Sequence, residues 1–327
     1  MSFNPTSSNL GQSSSIQYSH LLDETISSSA NYIEDLLINH LQYDEPYQNK
    51  SIDHYTEANE DVLSDLPIFE HFNPRYILKN LHRLHTFVIS YSTKNVGMNF
   101  DWSYFNFSTS DAINLSEGLK LSLNLYHLGV ISSLLNCSHF KIIHGALMNH
   151  LSIRSIDFSH NKISDHGFKY FGKILSSMNC HLTHIDLSNN LIGMEGAASF
   201  SHGLEQNITL KCLNLKLNRL GDEGSEHIFK ALIKNHILES LNLSSNNLTD
   251  FSCRCLAEML VLNNGLKFID LCCNSFHESG GKYIQDRIEE NYSLLDLNLT
   301  LTDISQESET YIAQILERNK QRQILHI

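Results

Sequence analysis

One spacing constrains this chain more than anything else in it. Asn161, Asn190, Asn218, Asn246 and Asn274 step along the sequence by 29, 28, 28 and 28 residues, with Ser133 and Thr302 continuing the series at either end. Each asparagine follows three apolar residues set at fixed offsets. In LKCLNLKLNRLGDEG (210–224) these are Leu210, Leu213 and Leu215, with Asn218 next and Leu220 after it. Such a unit presents one apolar face that it cannot bury alone, so it must stack against copies of itself.

The pattern L-x-x-L-x-L-x-x-N-x-L is the leucine-rich repeat, and eight units can be read. The first is degenerate (Leu84, Phe87, Ile89, Ser92) and the last ends on Thr302 and Ile304. A period of 28–29 residues leaves room for a full helix in each turn. Phe168, Phe171 and Leu175, and likewise Ile228 and Leu232, recur at helical spacing. The expected fold is therefore an α/β leucine-rich-repeat solenoid, a horseshoe with a parallel sheet on its concave face and helices on its convex face. The three apolar residues of each unit are expected to alternate along a strand, with Gly221 and Gly224 turning the chain into the next helix. Asn161, Asn190, Asn218, Asn246 and Asn274 are expected to form a structural ladder, each amide satisfying backbone groups of adjacent coils. Leaving those groups unpaired would cost roughly 1–3 kcal/mol per position.

Outside the array the sequence changes character. Ten of the first 30 residues are Ser, and residues 1–80 hold 12 Asp/Glu against Lys50, Arg75 and Lys79. Residues 1–62 read as an acidic, largely disordered arm. Within it Ile33, Leu36, Leu37 and Leu41 suggest a short amphipathic helix. Residues 63–327 form the repeat domain. Its cap at 63–83 is interrupted by Pro67 and Pro74, and an aromatic insert follows at 93–107 (GMNFDWSYFNF within it). Trp102 and Tyr104 in that insert could bury against the first repeats or could anchor a partner.

The net charge of −13 disfavours nucleic acid as a partner. The opening MSFNPTSSNL lacks the basic and apolar regions of a secretory leader, and no apolar run approaches a membrane span. Seven cysteines without regular spacing suit a reduced, cytosolic protein. His181-x-x-His184 and Cys253-x-Cys255 have no partner pair at zinc-site spacing. No phosphate loop, nucleophile elbow or HExxH occurs. The expectation is a non-enzyme without cofactor, metal, nucleic-acid, membrane or small-molecule partner. Its candidate protein-binding residues are Asp157, Asp186, Asn214, Asn242, Asp270 and Asn298, one position repeated six times between the second and third apolar residues. This column reads either as a solvated stripe or as an acidic-polar groove. Cys272 and Cys273 are expected to lie on a strand.

Three segments resemble one family more narrowly than the repeat consensus does. LKLNRLGDEG (215–224), GMNFDW (97–102) and LTDISQESE (301–309) are similar to segments in the same order in the T-complex-associated testis-expressed protein one, or dynein regulatory complex subunit five, family. The resemblance covers roughly residues 63–325. It implies a subunit of the nexin–dynein regulatory complex in the axoneme of motile cilia and flagella, with that complex's other subunits as partners. The acidic arm does not resemble the family's longer leader. Two other functions compete. One is a Ran-type GTPase-activating protein, for which Arg154 is the one early-strand arginine. The other is a cytosolic inhibitor or sensor that wraps a protein ligand.

Overall fold

The computed structural model describes the backbone of residues 86–90 and residues 107–325 in full. All of these belong to the second of the chain's two units, 71–327. The arm, its amphipathic stretch, the cap at 63–83 and residues 93–106 of the insert, with Trp102 and Tyr104, lie outside the described residues.

Strand and helix alternate through the unit. The strands are β1 (Thr86–Ser90), β2 (His127–Ile131), β3 (Ser155–Asp157), β4 (His184–Asp186), β5 (Cys212–Asn214), β6 (Ser240–Asn242), β7 (Phe268–Asp270) and β8 (Asp296–Asn298). The helices are α1 (Thr109–Leu121), α2 (Cys137–Met148), α3 (Asp165–Leu175), α4 (Met194–Gln206), α5 (Gly221–Lys234), α6 (Asp250–Leu262), α7 (Glu278–Ile288) and α8 (Gln306–Ile324). The strands form one parallel sheet in sequence order, β1 to β8. Each coil thus packs only on its neighbours, with the sheet on the concave face and the helices on the convex face. The degenerate first repeat joins in register, Phe87 opposite Leu128 and Ile89 opposite Val130.

The later strands are shorter than the apolar pattern suggests. β5 holds only Leu213 of its three leucines, and Leu210 and Leu215 are buried just outside it. The ladder does not stop there: Leu187 N–H donates to Asn214 O at 2.9 Å, and Leu215 N–H to Asn242 O at 2.9 Å. The regular strand ends where the next N–H turns to a side chain, as Lys216 N does to Asn214 Oδ1 at 3.1 Å, and a left-handed residue follows, three positions before the turn's next inward side chain. Ser132, His160, Asn189, Leu217, Ser245, Cys273 and Leu301 all have φ between 51° and 57°. Cys272 and Cys273 accordingly fall in this turn rather than on β7.

Helix starts are set by side chains. Ser108 and Asp111 form a reciprocal cap on α1, Asn136 and His139 one on α2, and Thr249 and Ser305 cap α6 and α8. Gly221, at φ +60°, makes the turn into α5. Gly224 lies inside the helix, so it packs against the neighbouring coil instead of turning the chain. Between the helices and the sheet runs a file of phenylalanines: Phe140 stacks on Phe171 at 4.4 Å and Phe168 on Phe200 at 4.2 Å.

Candidate protein-binding face

The sheet register brings the six candidate positions into one row. Asp157, Asp186, Asn214, Asn242, Asp270 and Asn298 are successive Cα partners from β3 to β8, and Gly129 occupies the same place on β2. All six are half-buried. Each accepts a hydrogen bond from the backbone N–H two residues on, between 2.8 and 3.1 Å, which fixes the turn after its strand. The acids and amides also bind one another. Asn214 Nδ2 donates to Asp186 Oδ2 at 2.8 Å, Asn242 Nδ2 to Asp270 Oδ2 at 3.0 Å, and Asn298 Nδ2 to Asp270 Oδ1 at 3.0 Å.

The mixture of Asp and Asn along the row therefore has a structural use that the solvated-stripe and open-groove readings both miss. Asp270 accepts three donors and its charge is well compensated. At the other end of the row Asp157 and Asp186 are neighbours without an amide between them. Burial pushes the Asp157 carboxyl up, against the hydrogen bond from Ser159, and the Asp186 charge adds to the rise. The negative potential of the row is thus concentrated over β3 and β4.

A second row crosses the same face at the strand entrances. Lys211 and Lys267 hold Glu239 between them, with one carboxylate oxygen 2.7 Å from each ammonium. These two lysines depress the Glu239 carboxyl to about 2. Arg154 begins this row, and its Nη1 donates to Leu151 O at 2.8 Å and Ile153 O at 3.3 Å. His127 and Ser155 share a 2.8 Å hydrogen bond on the adjoining strands, and burial, then His184, lowers the His127 pKa. The face is consequently dipolar, with cations at the strand entrances and carboxylates at the exits.

Ordinary nucleophile chemistry is poorly served here. Burial raises the thiols of Cys212, Cys253 and Cys255, and Cys272 is pushed up to about 11, so these sulfurs stay protonated at neutral pH. Among the described residues no group of three or more His, Cys, Asp or Glu side chains could hold a metal ion. No described helix is long and apolar enough to cross a membrane.

The asparagine ladder that backs this face is continuous. Asn218 Nδ2 donates to Leu187 O, Leu215 O and Lys216 O, while its Oδ1 accepts from Ile192 N. Asn161, Asn190, Asn246 and Asn274 make equivalent bonds to the preceding coil. A second ladder, which the sequence reading missed, runs along the far ends of the helices. Asn207, Asn235, Asn263, Asn291 and Asn319 are all buried. Each donates to carbonyls of the preceding coil, as Asn263 Nδ2 does to Leu232 O (2.6 Å) and Asn235 O (2.8 Å). A third device pins helix starts: the Asp165, Asp222 and Asp250 carboxylates accept from Gly193 N, Thr249 N and His277 N of the next coil. Both sets could have been found by extending the 28-residue count beyond the turn. Three ladders in parallel hold the coils in register and keep the face rigid.

A family model described as leucine-rich repeat matches residues 149–172, 179–201, 206–228 and 234–257. Dynein regulatory complex subunit 5 of Macaca fascicularis is 32% identical over 165 residues, 50% of this chain and 32% of the relative. The Homo sapiens protein of the same name is 32% identical over 129 residues, 39% of this chain and 26% of that one. The matches thus span about a third or less of the relatives' length. A solved tropomodulin C-terminal domain of Caenorhabditis elegans aligns with a TM-score of 0.44 at 18% identity, over 49% of this chain and 96% of its own. The chain thus carries leucine-rich repeats at these positions and is similar, over part of its length, to relatives that share the name dynein regulatory complex subunit 5.

Proposed function

We propose that the chain is a non-catalytic docking subunit of the nexin–dynein regulatory complex in the axoneme of motile cilia and flagella, helping to restrain dynein-driven sliding. The observation that carries this reading is the shared name of the curated relatives over the repeat region. The physical character of the array supports it. A sheet face cross-tied by three hydrogen-bonded ladders is pre-organised and loses little conformational entropy on binding. The row Asp157, Asp186, Asn214, Asn242, Asp270 and Asn298 is proposed as the docking face, with its electrostatic weight on Asp157 and Asp186. Trp102 and Tyr104 are proposed as further anchors, and the division into an arm (1–62) and a repeat domain (63–327) belongs to the same proposal.

The GTPase-activating alternative needs an arginine free to reach a nucleotide. Arg154 instead turns its Nη1 to the carbonyls of Leu151 and Ile153, which favours the docking reading.

The test is co-purification from ciliated cells of the tagged full chain and of an Asp157→Asn/Asp186→Asn form. The docking reading predicts that other regulatory-complex subunits accompany the parent chain and are reduced several-fold with the variant. Recovery without any of those subunits would refute membership. Equal recovery with both forms would move the docking site off this face.

A further inference from the structure

The 28-residue period allows the outward positions of the helices to be compared place by place. One column runs Lys141, Lys169, Ala198, Glu226, Arg254 and Lys282 along α2 to α7, and the column one turn later runs Gly145, Lys173, His202, Lys230, Glu258 and Asp286. On the later helices the two columns carry opposite charges four residues apart. Glu226 and Lys230 of α5 pair at 2.7 Å, and Lys282 and Asp286 of α7 at 3.2 Å. Arg254 and Glu258 occupy the same places on α6.

On α2 and α3 this rule breaks. The same positions hold Lys141, Lys169 and Lys173 with no acid, and all three lysines are exposed. No ion pair engages any of them among the described residues. The outward acids on the flanking helices are Glu117 of α1 and Glu195 of α4, and neither comes within ion-pair distance of these lysines. An aromatic shelf lies between the cations. Tyr170 packs on the His144 ring at 4.3 Å, with Lys173 Nζ 5.3 Å and Lys169 Nζ 6.0 Å from its centre. Beside it Gly145 leaves open space where the other helices carry a side chain.

We infer that the convex surface of α2 and α3, formed by Lys141, His144, Gly145, Lys169, Tyr170 and Lys173, is a docking site for a short acidic peptide segment of a partner protein. Charge complementarity identifies the occupant. The patch gathers three ammonium groups without an ion pair among the described residues, on a chain whose net charge is −13, so its field is local. It suits a segment of a few carboxylates, whereas a long polyanion such as nucleic acid would meet repulsion from the rest of the chain. Lysines present point charges that suit flexible carboxylates, and the Tyr170 ring and the gap at Gly145 accept apolar parts of the peptide. The inference is separate from the concave docking face and does not depend on it.

The test uses the full chain and a fluorescein-labelled oligoglutamate peptide of about eight residues, followed by anisotropy. Lys169→Glu/Lys173→Glu should weaken binding at least about tenfold, and Lys141→Glu by a few-fold, with the parent's affinity falling as salt rises. Lys282→Glu, which breaks the matched pair on α7, should leave affinity unchanged. Helical circular dichroism and the melting transition check folding, and Lys169→Gln/Lys173→Gln provides a milder form with the same direction of effect. The inference is overturned if the peptide does not bind, if the α3 variants bind as the parent does, or if Lys282→Glu weakens binding equally. Tighter binding of an oligothymidylate of equal length, or of phosphatidylserine vesicles, would also overturn it by assigning the patch to another polyanion.

Discussion

Replacing Asn263 by alanine tests how much of the array's rigidity the second ladder supplies. Asn263 is 3% exposed. Its Nδ2 donates to Leu232 O at 2.6 Å and Asn235 O at 2.8 Å, and its Oδ1 accepts from Gly265 N at 3.0 Å and Leu266 N at 2.9 Å. Alanine strands four backbone groups. Each fully buried orphan costs about 1–3 kcal/mol, but Gly265 N is only partly buried and water can reach it. The carbonyls of Leu232 and Asn235 and the amide of Leu266 dominate, and at the low end of that range they give about 3–4 kcal/mol in total. For a domain of this size each kcal/mol lowers Tm by roughly 2–4 °C, so a fall on the order of 10 °C is expected. Asn263→Asp should cost at least as much, since it keeps the acceptor but turns a carboxylate oxygen towards two carbonyl oxygens. Asn264→Ala, one residue on and exposed, should stay within about 0.5 kcal/mol of the parent. Thermal and urea unfolding followed by circular dichroism measure all three. A loss below about 1 kcal/mol for Asn263→Ala, or equal effects at 263 and 264, would refute the ladder argument.

Other perturbations follow from single contacts. Gly203→Ala sets a methyl 2.0 Å from Gly172 O, where α3 and α4 touch, and should cost at least about 2 kcal/mol and open that helix pair to hydrogen exchange. Leu217 is an exposed leucine at φ 56°, so Leu217→Gly should stabilise the protein by about 1 kcal/mol in urea unfolding. His150 takes the second-ladder place in an early coil, its Nδ1 accepting from Ile153 N at 3.2 Å while Nε2 is buried without a partner among the described residues. Burial, then Arg154, lowers its pKa from 6.5 to about 4. The unfolded chain therefore gains a proton below pH 6.5 that the folded chain refuses until about pH 4. Stability falls across that window by up to about 3 kcal/mol, and His150→Asn should flatten this part of the pH profile. Glu239 acts lower down: its depressed carboxyl favours the fold above about pH 4.5, and that contribution disappears as pH falls towards 2. Because this carboxylate is partly exposed and screened by solvent, the effect is small, and Glu239→Gln should reduce the acid-side slope only slightly.

Most of the fold was legible because one physical demand, burial of an apolar face by stacking, imprints the same period on every coil. Leu213, Ile185 and Ile269 mark the strand centres, and Asn218 with its counterparts marks the turn that follows. Strand length was less legible. Leu215 looks like a strand residue in the pattern, yet the N–H of Lys216 behind it turns to the Asn214 side chain and interrupts regular pairing, and the left-handed Leu217 follows, where nothing in a leucine announces a positive φ. Gly224 looked like a turn residue, but the demand placed on it is close packing, which the sequence does not distinguish from a turn. The second ladder was hidden for another reason. Asn235 and Asn263 stand where helices end, and there a polar residue already has a local explanation as a cap. The candidate face shows the reverse: the row of Asp and Asn was visible, but its mutual hydrogen bonds depend on which strands neighbour each other. The lysines of α2 and α3 carry meaning only once the outward columns are aligned, since Lys169 and Lys173 alone look like any solvated helix face.

The decisive observation is where the tagged chain resides in a ciliated cell and what releases it. The proposed role predicts a signal along the length of motile axonemes that survives detergent and leaves with other regulatory-complex subunits as salt is raised. A signal confined to the cytosol or the nuclear envelope, or one washed out by detergent alone, would contradict it.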